Sequence, residues 1–165
     1  MSEETKPCVG IIMGSTSDAA TMQKCVQVLD ELGVASELKV CSAHRTPDRA
    51  RNYALSAAGR GLKVIIAGAG MSAHLAGVMA SLTHLPVLGI PMEGKLAGGI
   101  DALLSTCNMP KGIPVGTMSM GSHGAVNAAL FAAAILALSD KELEQRLIAY
   151  RKKQTDSIPD EPEAE

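Results

Sequence analysis

A chain of 165 residues is the size of one ordinary domain and can bury most of its apolar surface around a single core. A formal charge of −2 and the lack of any Lys/Arg run exclude a concentrated basic face, and one Phe, two Tyr and no Trp leave no platform for stacking bases. No apolar run reaches membrane-spanning length, so nucleic acid and membrane are both set aside as partners.

In chain order, residues 1–7 (MSEETKP) are acidic and polar, with neither a basic n-region nor an apolar h-region. They predict a flexible N-terminus rather than a secretory signal. VGIIM (9–13) reads as a buried strand, and Met22, Val26 and Leu29 give residues 18–32 helical spacing. ELKVC (37–41) is a second strand, and Tyr53, Ala54 and Ala57 mark a helix over 48–59. KVIIA (63–67) is a third, with a helix over 74–82 carrying Leu75, Val78 and Leu82. PVLGI (86–90) and PVGTM (114–118) are the fourth and fifth strands, with a weak helix over 100–107 between them and a strong one over 123–138 after them. Strand and helix alternate throughout. That order predicts an α/β fold, a three-layer α/β/α sandwich around a mainly parallel sheet with right-handed crossovers.

Beyond it, DKELEQRLIAYRKKQ (140–154) places Leu143, Leu147 and Tyr150 on one face of a C-terminal helix that lies on the surface or on a neighbouring subunit. The acidic, Pro-containing stretch 155–165 predicts a mobile tail unless a partner subunit holds it. The organisation is one domain, 1–165, with its α/β body at 8–154. Positive mean hydropathy in so short a chain predicts apolar surface that meets other subunits.

Cys8, Cys25, Cys41 and Cys107 are scattered without a CxxC pair and suit free thiols in a reducing, cytoplasmic setting. His44, His74, His84 and His123 also lack ligand spacing such as HxxxH, so a metal site is not predicted. His74 reads as a helix cap or interface residue, His84 as a helix-end residue and His123 as a surface residue.

In an open parallel sheet, ligands bind outside the carboxyl ends of the strands. The residues to read are therefore those after each apolar run: GSTSD (14–18), SAHRTP (42–47), GAGMSAH (68–74), PMEGKLAGG (91–99) and SMGSHGA (119–125). In GSTSD, helix-start amides and hydroxyls favour an anion and Asp18 can hold ribose hydroxyls; the competing reading is that Ser17 or Asp18 simply caps the next helix. The GK[ST] of a P-loop is missing, so nucleoside triphosphate hydrolysis is not supported. In SAHRTP, Arg45 can grip phosphate or carboxylate with two parallel bonds and His44 can change protonation near neutral pH; a solvated helix start is the alternative. GAGMSA satisfies GxGxxA, but after the third strand rather than the first, so a dinucleotide site is not predicted and Gly68 and Gly70 instead let a loop pass close to a ligand or subunit.

Together IIMGSTSD, SAHRTPDR, VIIAGAG with AHL, LPVLGIP, MPKGIPVGT and GAVNAAL resemble the N5-carboxyaminoimidazole ribonucleotide mutase family (class I phosphoribosylaminoimidazole carboxylase catalytic subunits) of purine biosynthesis, from about residue 9 to residue 138. The resemblance implies a flavodoxin-like subunit in a homo-octamer with sites at subunit boundaries. It also implies a small-molecule ribonucleotide substrate and a reaction without metal or organic cofactor, in which a carboxylate moves from the exocyclic nitrogen to carbon 4 of the imidazole.

On matching positions, the resemblance makes His44 the acid/base. Ser15 and Asp18, with Gly14 and Ser17 beside them, would hold the phosphate and ribose region. Arg45 would grip the phosphate, assisted by Ser42 and Ala43. Gly68, Ala69, Gly70, Met71, Ser72, Ala73, His74 and Leu75 would line the base and carboxylate pocket, which the 91–99 loop also reaches. Met71, Ser72 and Ala76 stand where the family usually has Gly, Ala and Pro; Ala97 stands for Leu and Lys111 for Gly. Two alternatives remain: a carboxylase acting on aminoimidazole ribonucleotide and CO₂, and a non-catalytic nucleotide-binding module.

Overall fold

The computed structural model describes residues 6–161. The expected flexible stretch at 1–5 and the end of the acidic tail at 162–165 lie outside the described residues.

Five parallel strands, β1 (Val9–Met13), β2 (Ser36–Val40), β3 (Val64–Ala69), β4 (Val87–Pro91) and β5 (Gly116–Thr117), form one sheet in the order β2-β1-β3-β4-β5. Helices α1 (Ala19–Glu31), α2 (Pro47–Ala57), α3 (Leu75–Leu82), α4 (Ile100–Cys107), α5 (Gly121–Ala137) and α6 (Lys141–Asp156) follow the strands. This is the flavodoxin-like order, in which the chain leaves β1 and β3 in opposite directions and opens a crevice at their carboxyl ends.

The three central strands β1, β3 and β4 are apolar and buried because both faces are covered, whereas the edge strand β2 carries Ser36, Glu37 and Lys39 and is only partly buried. Successive residues point to opposite sides: Val9, Ile11 and Met13 of β1, with Val64 and Ile66 of β3, pack in one cluster with α1, α5 and Leu143 of α6. Ile12, Ile65 and Ala67 pack in the other with Ala50, Ala54 and Ala57 of α2 and with Leu75, Ala76 and Met79 of α3. One-residue alternation along β1 and β3 thus separates two cores, and the sandwich has three layers.

Pro47 sits in the first turn of α2, where its missing N–H costs nothing. Asp140 caps α6 by accepting from the Leu143 amide at 3.0 Å. Arg146 Nε donates to the Leu32 carbonyl at 2.8 Å, tying α6 to the end of α1.

Two elements differ from the sequence expectation. The fifth strand covers two residues rather than five: only Gly116 and Thr117 pair with β4, since Pro114 has no amide to donate and the strand lies at the sheet edge. Helix α6 runs through Asp156, two residues into the expected tail. A Lys152–Asp156 ion pair at 2.9 Å and the Ser157 amide bonded to the carbonyls of Lys153 and Gln154 close that extra half-turn.

Candidate active site

The loops after β1, β2, β3 and β4 gather at the carboxyl edge around the β1/β3 crevice, and backbone bonds hold them in register. Gly14 N–H donates to the Gly68 carbonyl at 3.2 Å, Cys41 N–H to the Met13 carbonyl at 2.9 Å, and Met92 N–H to the Ala69 carbonyl at 2.9 Å.

After β1, residues 16–18 form one short 3-10 turn capped by Ser15, whose hydroxyl accepts from the Ser17 amide at 3.3 Å. Ser17 Oγ donates to Asp18 Oδ1 at 3.2 Å. Asp18 precedes α1 but makes no side-chain cap bond, so its carboxylate is not consumed by the helix start. Desolvation pushes its pKa up, opposed by the Ser17 hydroxyl and by the Arg45 cation. An acid that is partly dry, near a cation and not consumed by capping is equipped to accept hydrogen bonds from sugar hydroxyls.

After β2, SAHRTP is a tightly bonded turn. Ser42 is buried and its hydroxyl accepts from the Arg45 amide at 3.1 Å. Ser42 N–H donates to Thr46 Oγ1 at 2.9 Å, while Thr46 Oγ1 and Thr46 N–H both donate to the Ser42 carbonyl, at 3.0 and 2.9 Å. Ser42 and Thr46 therefore lock the backbone on which Ala43, His44 and Arg45 are presented, with His44 and Arg45 exposed. Arg45 Nη2 donates to the Gly14 carbonyl at 2.7 Å, which sets the guanidinium over the first loop.

After β3, Gly68 is buried within the strand and Ala69 ends it. Gly70 lies beside Met92, and Ser72 is exposed, its carbonyl accepting from the His74 amide at 2.8 Å. Met71 is 74 % exposed and adopts φ +57. That left-handed conformation favours glycine, because a side chain there crowds the backbone. Ala73 and Leu75 are buried and support the loop from below. His74 precedes α3 without capping it, contrary to the expected cap role. Its Nδ1 instead lies 3.0 Å from His44 Nε2, with the rings edge to face at 84°.

The fourth loop turns through three consecutive positive-φ residues, Ala97, Gly98 and Gly99. Glu93 places its carboxylate over the start of α5, where a Cβ on Gly121 would lie 2.8 Å from Glu93 Oε1. His123 is exposed, as expected, and His84 is exposed two residues past the end of α3. Among the described residues, no group of three or more His, Cys, Asp or Glu is placed to hold a metal ion, and no helix is long and apolar enough to cross a membrane.

Sequence reading missed two features. The Ser42–Thr46 lock was signalled only by hydroxyls four residues apart. The His44–His74 pair joins loops 30 residues apart, and nothing local in either loop signals it.

A family model described as AIR carboxylase matches residues 8–157. The chain belongs to this family. It is 51 % identical over 164 residues to the N5-carboxyaminoimidazole ribonucleotide mutase of Escherichia coli K12, covering 99 % of this chain and 97 % of that one. It is 53 % identical to the Vibrio cholerae protein of the same name, covering 93 % and 96 %. A bifunctional purine synthesis protein of Dictyostelium discoideum is 54 % identical across 95 % of this chain, which spans only 16 % of that larger protein. Among solved structures, Treponema denticola PurE superposes with a TM-score of 0.82 at 28 % identity, covering 91 % of this chain and 92 % of that one. Within the AIR carboxylase family the chain therefore stands with the mutases, and the flavodoxin-like architecture is shared by the PurE fold.

Proposed function

We propose that this chain is an isomerase that converts N5-carboxyaminoimidazole ribonucleotide to 4-carboxyaminoimidazole ribonucleotide in purine biosynthesis, with His44 as acid and base. The observation that carries this reading is the meeting of the loops after β1 and β2 at the crevice. Arg45 is anchored on Gly14, Asp18 stands beside it with Arg45 acting on its charge, and His44 projects from the adjacent position of the same locked turn.

Arg45 supplies the fork that a phosphate takes, and Ser15 adds a hydroxyl at a helix-start turn. Asp18 accepts from the ribose. These contacts position the small imidazole end, an effect that reaches about 7 kcal/mol in well-oriented systems.

The C–N bond to the carboxylate breaks, CO₂ departs and the nitrogen takes a proton. Carbon 4 then attacks CO₂ with its ring electrons, and its hydrogen leaves as a proton. One imidazole can deliver the first proton and collect the second, so no net proton is needed. CO₂ carries no charge to hold it, so the Gly68–Gly70 backbone and the 91–99 loop are assigned the role of closing the space around it.

The resemblance further supports a cytoplasmic homo-octamer. An apolar groove of about 690 Å³ between α5 and α6, lined by Leu130, Phe131, Leu138, Leu147 and Ile148 among others, is the face assigned to subunit packing.

The test supplies N5-carboxyaminoimidazole ribonucleotide and, separately, aminoimidazole ribonucleotide with high bicarbonate, and follows the 4-carboxylated product. Efficient conversion of the first alone, lost in His44→Asn, is expected. Conversion of only the second would make the chain a carboxylase, and tight nucleotide binding without turnover of either would make it a binding module.

A further inference from the structure

We infer that His74 is a positioning residue for the proposed proton transfer, acting through the His44 ring rather than on substrate. The inference rests on the acid/base role proposed for His44 and adds a residue whose sequence position suggests a helix cap.

His74 Nδ1 and His44 Nε2 are 3.0 Å apart, an ordinary hydrogen-bond distance. Two ring nitrogens can share such a bond only if one carries hydrogen and the other does not. The contact therefore couples the tautomers of the two rings: whichever nitrogen His74 presents determines the state of His44 Nε2 and, in the neutral ring, of Nδ1 as well. Without a partner, the exposed His44 ring would turn about its side-chain bonds and populate both tautomers.

The two histidines also come from different loops. His44 rides on the turn locked by Ser42 and Thr46, whereas His74 stands at the start of α3 between the buried residues Ala73 and Leu75. The His74 side chain is exposed like that of His44, but its backbone is fixed by the two buried neighbours, and the edge-to-face packing, with centroids 5.1 Å apart, adds a second mutual constraint on the two ring planes. His74 also lines a cavity of about 410 Å³ between α3 and α4, together with Ser81, Ser105 and Asn108.

Three variants separate this role from a structural one. His74→Phe keeps an aromatic ring but removes the hydrogen bond, and His74→Asn restores a polar atom near the Nδ1 position. His74→Ala removes both ring and bond. The expected result is a kcat lower by about tenfold to hundredfold in His74→Phe and His74→Ala, part of the 10²–10⁴ that acid/base catalysis supplies, with KM within about twofold. His74→Asn should recover most of the loss. In the ligand-free protein, nitrogen NMR of the ring signals should show His44 passing from one dominant tautomer to a mixture in His74→Phe but not in His74→Asn.

An unchanged His44 tautomer in His74→Phe, or equal losses in the Phe and Asn variants, would overturn the inference. If wild type turns substrate over and His44→Asn does not, while every His74 variant keeps its kcat, this inference alone fails. If His44→Asn retains turnover, it is the function proposed above that fails.

Discussion

Arg45 Nη2 lies 2.7 Å from the carbonyl oxygen of Gly14, so the cation presented by the loop after β2 is anchored on the loop after β1. One donor is spent on that anchor, and the rest of the fork stays available to an anion held over the first loop.

Arg45→Lys keeps the charge but loses the planar fork that can hold the Gly14 carbonyl and a phosphate together. Substrate affinity is expected to fall about tenfold to hundredfold, the size of one or two charge-assisted bonds. Thermal stability should barely move, since the side chain is exposed. Calorimetric titration with substrate checks the first expectation and a melting curve the second; unchanged affinity would remove Arg45 from the site.

Asp18 gives a pH dependence of definite sign. Desolvation, its largest influence, raises the folded pKa above the usual value of 3.8, so the native state holds its proton to higher pH than the unfolded chain does. Stability from this group is full below the unfolded value and declines as pH rises through the folded one, leaving a small penalty at neutral pH. Partial exposure keeps that penalty small. Asp18→Asn should therefore be no less stable than wild type at pH 7 while binding substrate far more weakly. Denaturant midpoints at pH 3 and pH 7 test the sign; a wild-type advantage that grows with pH would contradict it.

Met71 holds φ +57 with most of its side chain in solvent, so it bears a left-handed backbone without a burial gain to offset it. Replacing it by Gly relieves about 1–2 kcal/mol of crowding and returns part of that through a looser unfolded chain. Met71→Gly should raise stability by about 0.5–1 kcal/mol, read from the denaturant midpoint at constant slope. A loss of stability would mean that the Met71 side chain makes a contact in the assembled protein.

Leu138, at the end of α5, is 87 % exposed and lines the α5/α6 groove with Phe131 and Ile148. Leu138→Glu would bury a carboxylate in the proposed subunit interface, which costs far more than a surface charge does. Sedimentation should show smaller species with unchanged far-UV circular dichroism. Unaltered assembly would place the subunit contact on another face.

The main frame of this fold is legible along the chain. Each buried strand is a short β-branched run, each helix has its 3.6-residue spacing, and the polar residues after β1, β2 and β3 are fixed at the carboxyl edge by chain order alone. Local rules also carried Pro47 into the first turn of α2 and kept His123 on the surface. They failed at β5, where pairing depends on a neighbour rather than on the apolar run, and at the end of α6, where an ion pair and a closing turn outweigh polar composition.

What only the tertiary structure decided is which loops touch. Placing β1 between β2 and β3 brings His44 to His74 and Arg45 to Gly14, across 30 and 31 residues of sequence. It also dries Asp18 enough to raise its pKa. Strand order comes from packing α1 and α5 on one face and α2 and α3 on the other, a global choice that the spacing within any single segment does not encode. The sequence by itself determined the residue types available to the site; the sheet order determined their partners.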